Sequence, residues 1–451
     1  MPRPRNRGGE RSERSKGGTP KERPSKPMRN SMDKEKRRKN FRWTIALLIS
    51  AAIAISYFDR QTLPVAIAAI QRDIPVTNTQ FSWLQSAFLI AYALMYAGGG
   101  RLIDIMGTRR GYLTIMLWWS LACASHGFAT GLFGLATSRF LLGMGEGGGF
   151  PAATKAVAEW FPARERSTAM GIINAGTAVG AVIAPPAIAM ILAAASWRWV
   201  FFVSGAVGLL WTLWWLRDYF PPHQHARLSE PERNEIREVL DLNRSKESGV
   251  PWLKLFRFPQ VWGLVTAKFL SDAAWYFYLF WLPKYLYDVR GFDTKTVGYY
   301  AWIPYAASGI GCLVGGWFSS RLIRRGHSLN VARKAALGAS AAVMPLIFFV
   351  TKAPVPLAIV LFSIAFFGQQ SWSTLVMILP VDIFPHRAVG SVAGLVGFGG
   401  AMGGVVFGLI VGRMLDSGFG YGPVFGMVST FHVLAFFIIL LTIRVVKPVE
   451  I

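Results

Sequence analysis

The chain has 451 residues, of which 53% are hydrophobic and only 16% charged, with a mean hydropathy of +0.36. This balance excludes an ordinary soluble domain of this size and calls for a membrane as solvent. The net charge of +24 is concentrated at one end: residues 1–42 hold 16 Lys/Arg against 5 Asp/Glu in a Gly-, Pro- and Ser-rich stretch, which reads as a disordered cytoplasmic tail and not as a nucleic-acid arm.

The cluster Lys36-Arg37-Arg38-Lys39 stands just before the first apolar stretch, where it acts as a topology signal against anionic lipid. No small-residue cleavage site follows a short apolar run, so the first stretch is expected to remain a helix. A spanning helix needs about twenty mostly apolar residues. Stretches of that kind fall near 43–69, 81–101, 112–130, 132–157, 168–194 and 199–216. A polar segment over 217–259 comes next, with Pro221-Pro222 and the charged run Glu230, Glu232, Arg233, Glu235 and Arg237, which suits a cytoplasmic central loop bearing a surface helix. Further spans fall near 260–287, 297–322, 333–352, 355–380, 389–412 and 422–443, leaving a short cytoplasmic tail at 444–451.

The fold class is therefore an all-α membrane protein, with twelve transmembrane helices in two six-helix bundles over 43–216 and 260–443. Placing both termini in the cytoplasm puts Arg101, Arg109, Arg110, Arg164, Arg166, Arg321, Arg324, Arg325, Arg333, Lys334 and Arg387 on that side. The opposite loops carry chiefly Arg72, Arg198, Arg290, Lys295 and Lys352, so the positive-inside bias favours this orientation in a cell inner membrane. The halves also repeat locally. Gly100-Arg-Leu-Ile-Asp104-Ile-Met-Gly107-Thr-Arg109-Arg110 succeeds the second span, and Gly316-Trp-Phe-Ser-Ser320-Arg321-Leu-Ile-Arg324-Arg325 succeeds the eighth. Such a repeat predicts two like bundles with a substrate site between them near the bilayer midplane.

Charges inside the spans carry the chemistry. The first holds Tyr57-Phe58-Asp59-Arg60, and a charge at that depth costs a few kcal/mol unless it is paired or hydrated. The fourth supplies Arg139 and Glu146, which stand on one helical face at about 3.6 residues per turn. Ion pairs that merely locked the two helices together would gain little over apolar packing. Arg60 or Arg139, each a planar fork of donors, suits the carboxylate of a small organic anion. Asp59 and Glu146, as carboxyls in a poorly hydrated cavity, are candidates to carry protons. Tyr92 and Tyr96, one turn apart, are either hydroxyl donors to a polyol or ordinary packing.

In the seventh span Lys268 and Asp272 are four residues apart and can satisfy each other. The aromatic series Trp275, Tyr276, Tyr278 and Trp281 comes after them, suited to the apolar face of a sugar, with interfacial belt residues as the alternative. Gln369, Gln370, Trp372 and Ser373 place donors, acceptors and an indole in the tenth span, and are expected to contribute to the cavity lining. His126 and His432 stand alone and read as interior histidines. Cys123 and Cys312 offer neither a disulfide framework nor a metal-ligand spacing, so no metal or cofactor is expected. No Gly-rich phosphate loop ending in Lys-Ser/Thr is present, which disfavours an ATP-driven pump, and no enzymatic site is expected.

The stretch Gly100 to Arg110 resembles the signature of the major facilitator superfamily, and the twelve-span layout resembles that superfamily over nearly the whole chain. The resemblance implies that Asp104, Arg109 and Arg110 belong to a cytoplasmic gate; Ser320 stands where the second copy would carry its acid. Tyr57-x-Asp59-Arg60, Arg139-x3-Gly143-x2-Glu146-Gly147, Phe150-Pro151-Ala152 and Trp160-Phe161-Pro162-x-x-Glu165-Arg166 are similar to the anion:cation symporter family. Asp272-x-x-Trp275-Tyr276-Phe-Tyr278 and Asp382-x-Phe384-Pro385-x-Arg387-Ala-Val389-Gly390-Ser391-Val392 look most like its hexuronate branch. This narrower resemblance implies a proton-coupled symporter of a sugar acid such as galacturonate or glucuronate. Asp59 and Glu146 would be its protonation sites, Arg60 with Tyr92 its contact to the acid, and Arg139 the coupling residue. Thr177 replaces a glutamine that sugar-acid carriers of this family can use, which sets galactonate apart. The alternatives are symport of another organic anion (an aldonate, glucarate or an aromatic acid) or export of drugs, against which Arg60 and Arg139 argue. A monomer in the lipid bilayer is expected.

Overall fold

The computed structural model describes residues 41–225 and 252–449. The basic tail up to residue 40 and the charged run expected to form a surface helix lie outside the described residues. Within them the chain is helical: α1 (Phe41–Asp73), α2 (Asn78–Met106), α3 (Thr108–Ser125), α4 (Leu132–Gly147), α5 (Gly149–Trp160), α6 (Ala163–Ala194) and α7 (Trp197–Asp218) precede the central segment. After it come α8 (Trp252–Leu255), α9 (Pro259–Asp288), α10 (Thr294–Tyr300), α11 (Trp302–Arg324), α12 (Leu329–Ala342), α13 (Val355–Ile383), α14 (His386–Asp416) and α15 (Tyr421–Thr442). Counting α4 with α5 as one rod, and α12 with the 3-10 turn Met344–Thr351 as another, gives twelve long rods. Among the described residues, seven helical stretches are long and apolar enough to cross a membrane by length and composition alone. Of the others, α9 carries Lys268 and Asp272, α3 has Arg109 and Arg110 in its first turn, and α4 is cut short at Gly147.

The cuts have local causes. Pro151 has no N–H to give the Gly147 carbonyl, and three successive glycines precede Phe150, so α4 stops and α5 begins at Gly148. Pro345 likewise withholds a donor from Ala341, and the rod tightens to 3-10 geometry. Helices also run past the apolar stretches where caps extend them. Thr77 accepts from the Gln80 amide while the Gln80 side chain accepts from the Thr77 N–H, so α2 begins at Asn78.

The two halves pair their helices alike. In the first, α1 packs on α6, α2 on α4, and α3 on α7; in the second, α9 packs on α14, α11 on α13, and α12 with its 3-10 extension on α15. Contacts between the bundles run through α2 with α14, α6 with α11 and α1 with α9. These seams are tight at the face away from the termini. Asp416 accepts from Asn78 and Thr79, and the Tyr287 hydroxyl donates to the Val65 carbonyl at 2.8 Å. The Phe81 and Trp281 rings meet edge to face at 5.0 Å. Along one side of α14, a Cβ at Gly412 would press on Ser82, one at Gly404 on Tyr276 and Leu89, and one at Gly397 on Tyr96. A turn or two nearer the termini, Gly394 and Gly390 on the same side meet nothing among the described residues, as does Gly408 between Gly404 and Gly412. The bundles are thus closed at the far face and parted at the face that bears the termini.

Candidate functional site

Close helix contacts bring the charged residues together. Gly143 and Gly147 let α4 approach the α2 backbone so nearly that added Cβ atoms would press into the Phe88 and Tyr92 carbonyl oxygens. Pro64 leaves the Arg60 carbonyl without its helical donor, which loosens α1 beside the Asp59-Arg60 pair. Asp59, Arg60, Arg139 and Glu146 are all buried, none above 2% exposed.

Their partnering is crossed and incomplete. Arg60 Nε donates to Glu146 Oε2 at 2.7 Å, and Ser56 Oγ donates to the same oxygen at 2.6 Å. A charge-assisted bond of this length is strong in a dry interior. The Arg60 guanidinium lies 4.5 Å from the Tyr57 ring centre and 4.6 Å from that of Tyr92, so aromatic faces replace part of its hydration. Its terminal nitrogens make no hydrogen bond among the described residues. Asp59 Oδ1 accepts from Ser204 of α7, and Cys123 stands beside the carboxylate. Asp59 Oδ2, Glu146 Oε1 and all three Arg139 nitrogens are buried without a hydrogen-bond partner. Among the described residues Arg139 has the Phe88 ring, 5.9 Å away, and electrostatic interactions with Cys123, Glu146 and Asp59.

The second bundle contributes a polar cluster of its own. Lys268 Nζ lies 2.9 Å from Asp272 Oδ1 and donates to Ser373 Oγ at 2.7 Å, while Gln369 reaches the same carboxylate oxygen at 3.4 Å. Gln369 Oε1 in turn accepts from His432. Trp372 is buried beside His432, with its indole N–H unpartnered. Tyr57 and Tyr276 lie within electrostatic reach of both Arg60 and Asp272, and so stand between the two clusters.

Tyr278 departs from its expected place. Two residues along a helix turn the side chain by about 200°, and Tyr278 is stacked on Phe366 at 5.5 Å and tilted against Phe277 at 5.8 Å, inside the second bundle. Tyr276 occupies the opposite face and meets the Arg60 neighbourhood. Of the gate residues, Arg109 donates to the Leu216 carbonyl and covers the Phe220 ring at 3.7 Å, and Arg110 is exposed. The side chain of Asp104 lies outside the described residues. Sequence reasoning passed over Ser56 and Ser204 as site residues and named Tyr276 only within the aromatic series. Ser56 carried a signal, standing one turn before Arg60; Ser204 carried none, because only packing of α7 on α1 brings it to Asp59. His126 stacks on Phe201 at 4.7 Å with Nδ1 on the Ala122 and Cys123 carbonyls, while Nε2 is unpartnered. A cleft of about 970 Å³ at the far face, lined by Arg72, Pro186, Tyr287 and Lys295 among others, touches none of these charges.

Two like bundles, parted at one face and closed at the other around buried charge, define a multi-pass membrane transporter. Residues 49–407 match the Major Facilitator Superfamily, and the chain belongs to that superfamily. Among curated relatives, it is 31% identical to a hexuronate transporter of Escherichia coli strain K12 over 408 residues, covering 89% of this chain and 94% of that one. It is 31% identical to a D-galactonate transporter of Escherichia coli O6:H1, covering 86% and 92%, and 34% identical to a probable sulfoacetate transporter of Cupriavidus necator, covering 80% and 84%. Among solved structures, a bacterial homolog of the human lysosomal transporter Spinster, inward-facing and occupied, superposes with a TM-score of 0.67 at 18% identity over 90% of this chain and 97% of that one. A D-xylose–proton symporter gives 0.67 at 15% identity over 88% and 96%, which speaks for the fold alone.

Proposed function

We propose that the protein imports a sugar acid, a hexuronate such as galacturonate or glucuronate, together with protons across the inner membrane by alternating access, with its termini in the cytoplasm. The observation that carries this reading is the Arg60 guanidinium, held between two tyrosine faces by a single bond from Nε to Glu146, with its terminal fork unused. The hexuronate and galactonate relatives support the substrate class.

In this reading protons entering from outside neutralise Asp59 and Glu146. A protonated Glu146 loosens its hold on Arg60, whose fork then takes the substrate carboxylate beside Tyr92, with Gln369, Trp372 and Ser373 across the cavity. Inward opening and deprotonation reverse the exchange, and Glu146 reclaims Arg60. Arg139, with no partner of its own, links the two acids electrostatically. Asp104, Arg109 and Arg110 serve the cytoplasmic gate.

Uptake of labelled sugar acids into proteoliposomes, with and without an inward proton gradient, tests the reading. Asp59→Asn and Glu146→Gln are expected to abolish gradient-driven accumulation while sparing part of the binding or counterflow. Full accumulation with unchanged proton coupling in both variants would overturn it.

A further inference from the structure

The polar chain in the second bundle is built to hold one carboxylate in place. Gln369 uses its amide N–H toward Asp272, so its Oε1 is the end that accepts from His432, which requires the proton on His432 Nε2. His432 is fully buried, its Nδ1 has no partner, and the edge of the Trp372 ring, 5.6 Å between centres, closes over it. From α15 through α13 the chain ends at Asp272 Oδ1 on α9, where Lys268 joins from one turn earlier, itself tied to Ser373. Both contacts to the carboxylate, from Gln369 and from Lys268, fall on Oδ1. Oδ2 makes no hydrogen bond among the described residues, and it faces Gly400 so closely that a Cβ there would press into it. Tyr57 and Tyr276 connect this oxygen's surroundings to Arg60.

We infer that Asp272 Oδ2 is an acceptor for substrate hydroxyls at the pole of the site opposite Arg60, and that His432 is a positioning residue that orients it through Gln369. This rests on the sugar-acid reading above and sharpens it. A carboxylate at the second pole accepts hydrogen bonds from a polyol end and repels a second carboxylate. Lys268 offsets the charge of Asp272 but sits on Oδ1, so the discrimination is made at Oδ2, where a hydroxyl brings a donor and an ionised second carboxylate brings only another acceptor. The substrate is therefore a polyhydroxylated monocarboxylate, with its single acid on Arg60, and a dicarboxylate sugar acid is excluded.

Calorimetric binding of galacturonate and galactarate to the purified full-length protein tests this. The wild type is expected to favour galacturonate by about tenfold or more, and Asp272→Asn, which leaves Lys268 uncompensated, is expected to invert that preference. His432→Leu should weaken galacturonate by about tenfold, the loss of one hydrogen bond to a charged network, with little change in maximal uptake rate. His432→Gln, which restores an N–H donor, should recover binding to within about twofold. An unchanged galacturonate-to-galactarate ratio in Asp272→Asn overturns the inference, as does a wild type that prefers galactarate. Asp272→Asn is isosteric and decides the matter even if His432→Leu fails to fold. If Arg60→Met loses both acids while Asp272→Asn keeps the wild-type ratio, the sugar-acid reading stands and this inference alone falls. If the wild type binds neither acid, both fall.

Discussion

Asp416, the last residue of α14, accepts hydrogen bonds from the backbone and side chain of Asn78, the first residue of α2, at 3.0 and 2.9 Å. Its second oxygen takes the Thr79 amide at 2.7 Å. One bundle thereby caps a helix of the other, satisfying N–H groups that a helix start leaves open and placing a negative charge at the positive end of its dipole. Opening the far face must break all of these bonds at once.

Asp416→Ala should therefore favour the state open at the far face. The loss of a cap at an exposed helix start is worth about 1 kcal/mol, roughly a fivefold shift in the two-state ratio. Labelling of a cysteine placed in the far half of the cavity should quicken accordingly. Labelling at the wild-type rate would show that the cap does not hold the closed state.

Arg139 presents a different balance. A guanidinium with three buried, unpartnered nitrogens is expensive to keep. Arg139→Met, close in volume, leaves Asp59 and Glu146 with one cation fewer, which drives an acid toward its protonated form. Stability in detergent should therefore fall by less than about 3 to 5 kcal/mol, the cost of breaking a bonded buried pair. Proton-driven uptake should fall at least tenfold. A large drop in melting temperature would instead mark Arg139 as a structural partner.

The glycines of α14 separate the two states. Gly404→Val meets the Tyr276 ring in the present state and should weaken folding or binding by about 1 to 3 kcal/mol. Gly394→Val meets nothing here. It should fold and bind substrate normally, yet transport poorly, because closing the terminal face brings α14 against α2 at that level. Equal transport by Gly394→Val and wild type would refute that closure.

Tyr276 and Tyr278 should also part company. Tyr278→Phe removes a buried hydroxyl that has no partner and should be stabilising or neutral, by about 1 kcal/mol, with uptake retained. Tyr276→Phe should raise the half-saturating substrate concentration. Uptake assays on the two single variants, run side by side, decide between these faces of α9.

By itself the sequence determined the fold and the inventory of charge. Apolar stretches of spanning length fall either side of a polar divide, because a membrane demands long apolar helices. Asp59, Arg60, Arg139 and Glu146 stood out because charge in such a stretch needs a reason. The partnering was another matter. Only the tertiary structure decided that Glu146 takes Arg60, that Ser204 takes Asp59 from α7, and that Arg139 is left alone. Those choices depend on how closely glycine faces let helices approach, across separations of 86 to 145 residues that no local spacing encodes. The same holds for α9, where composition marks the aromatic series but rotation about the helix axis turns Tyr276 toward Arg60 and Tyr278 away. Which face of the molecule is closed also lies outside the reach of periodicity, since both states use one set of helices and differ only in how two bundles meet.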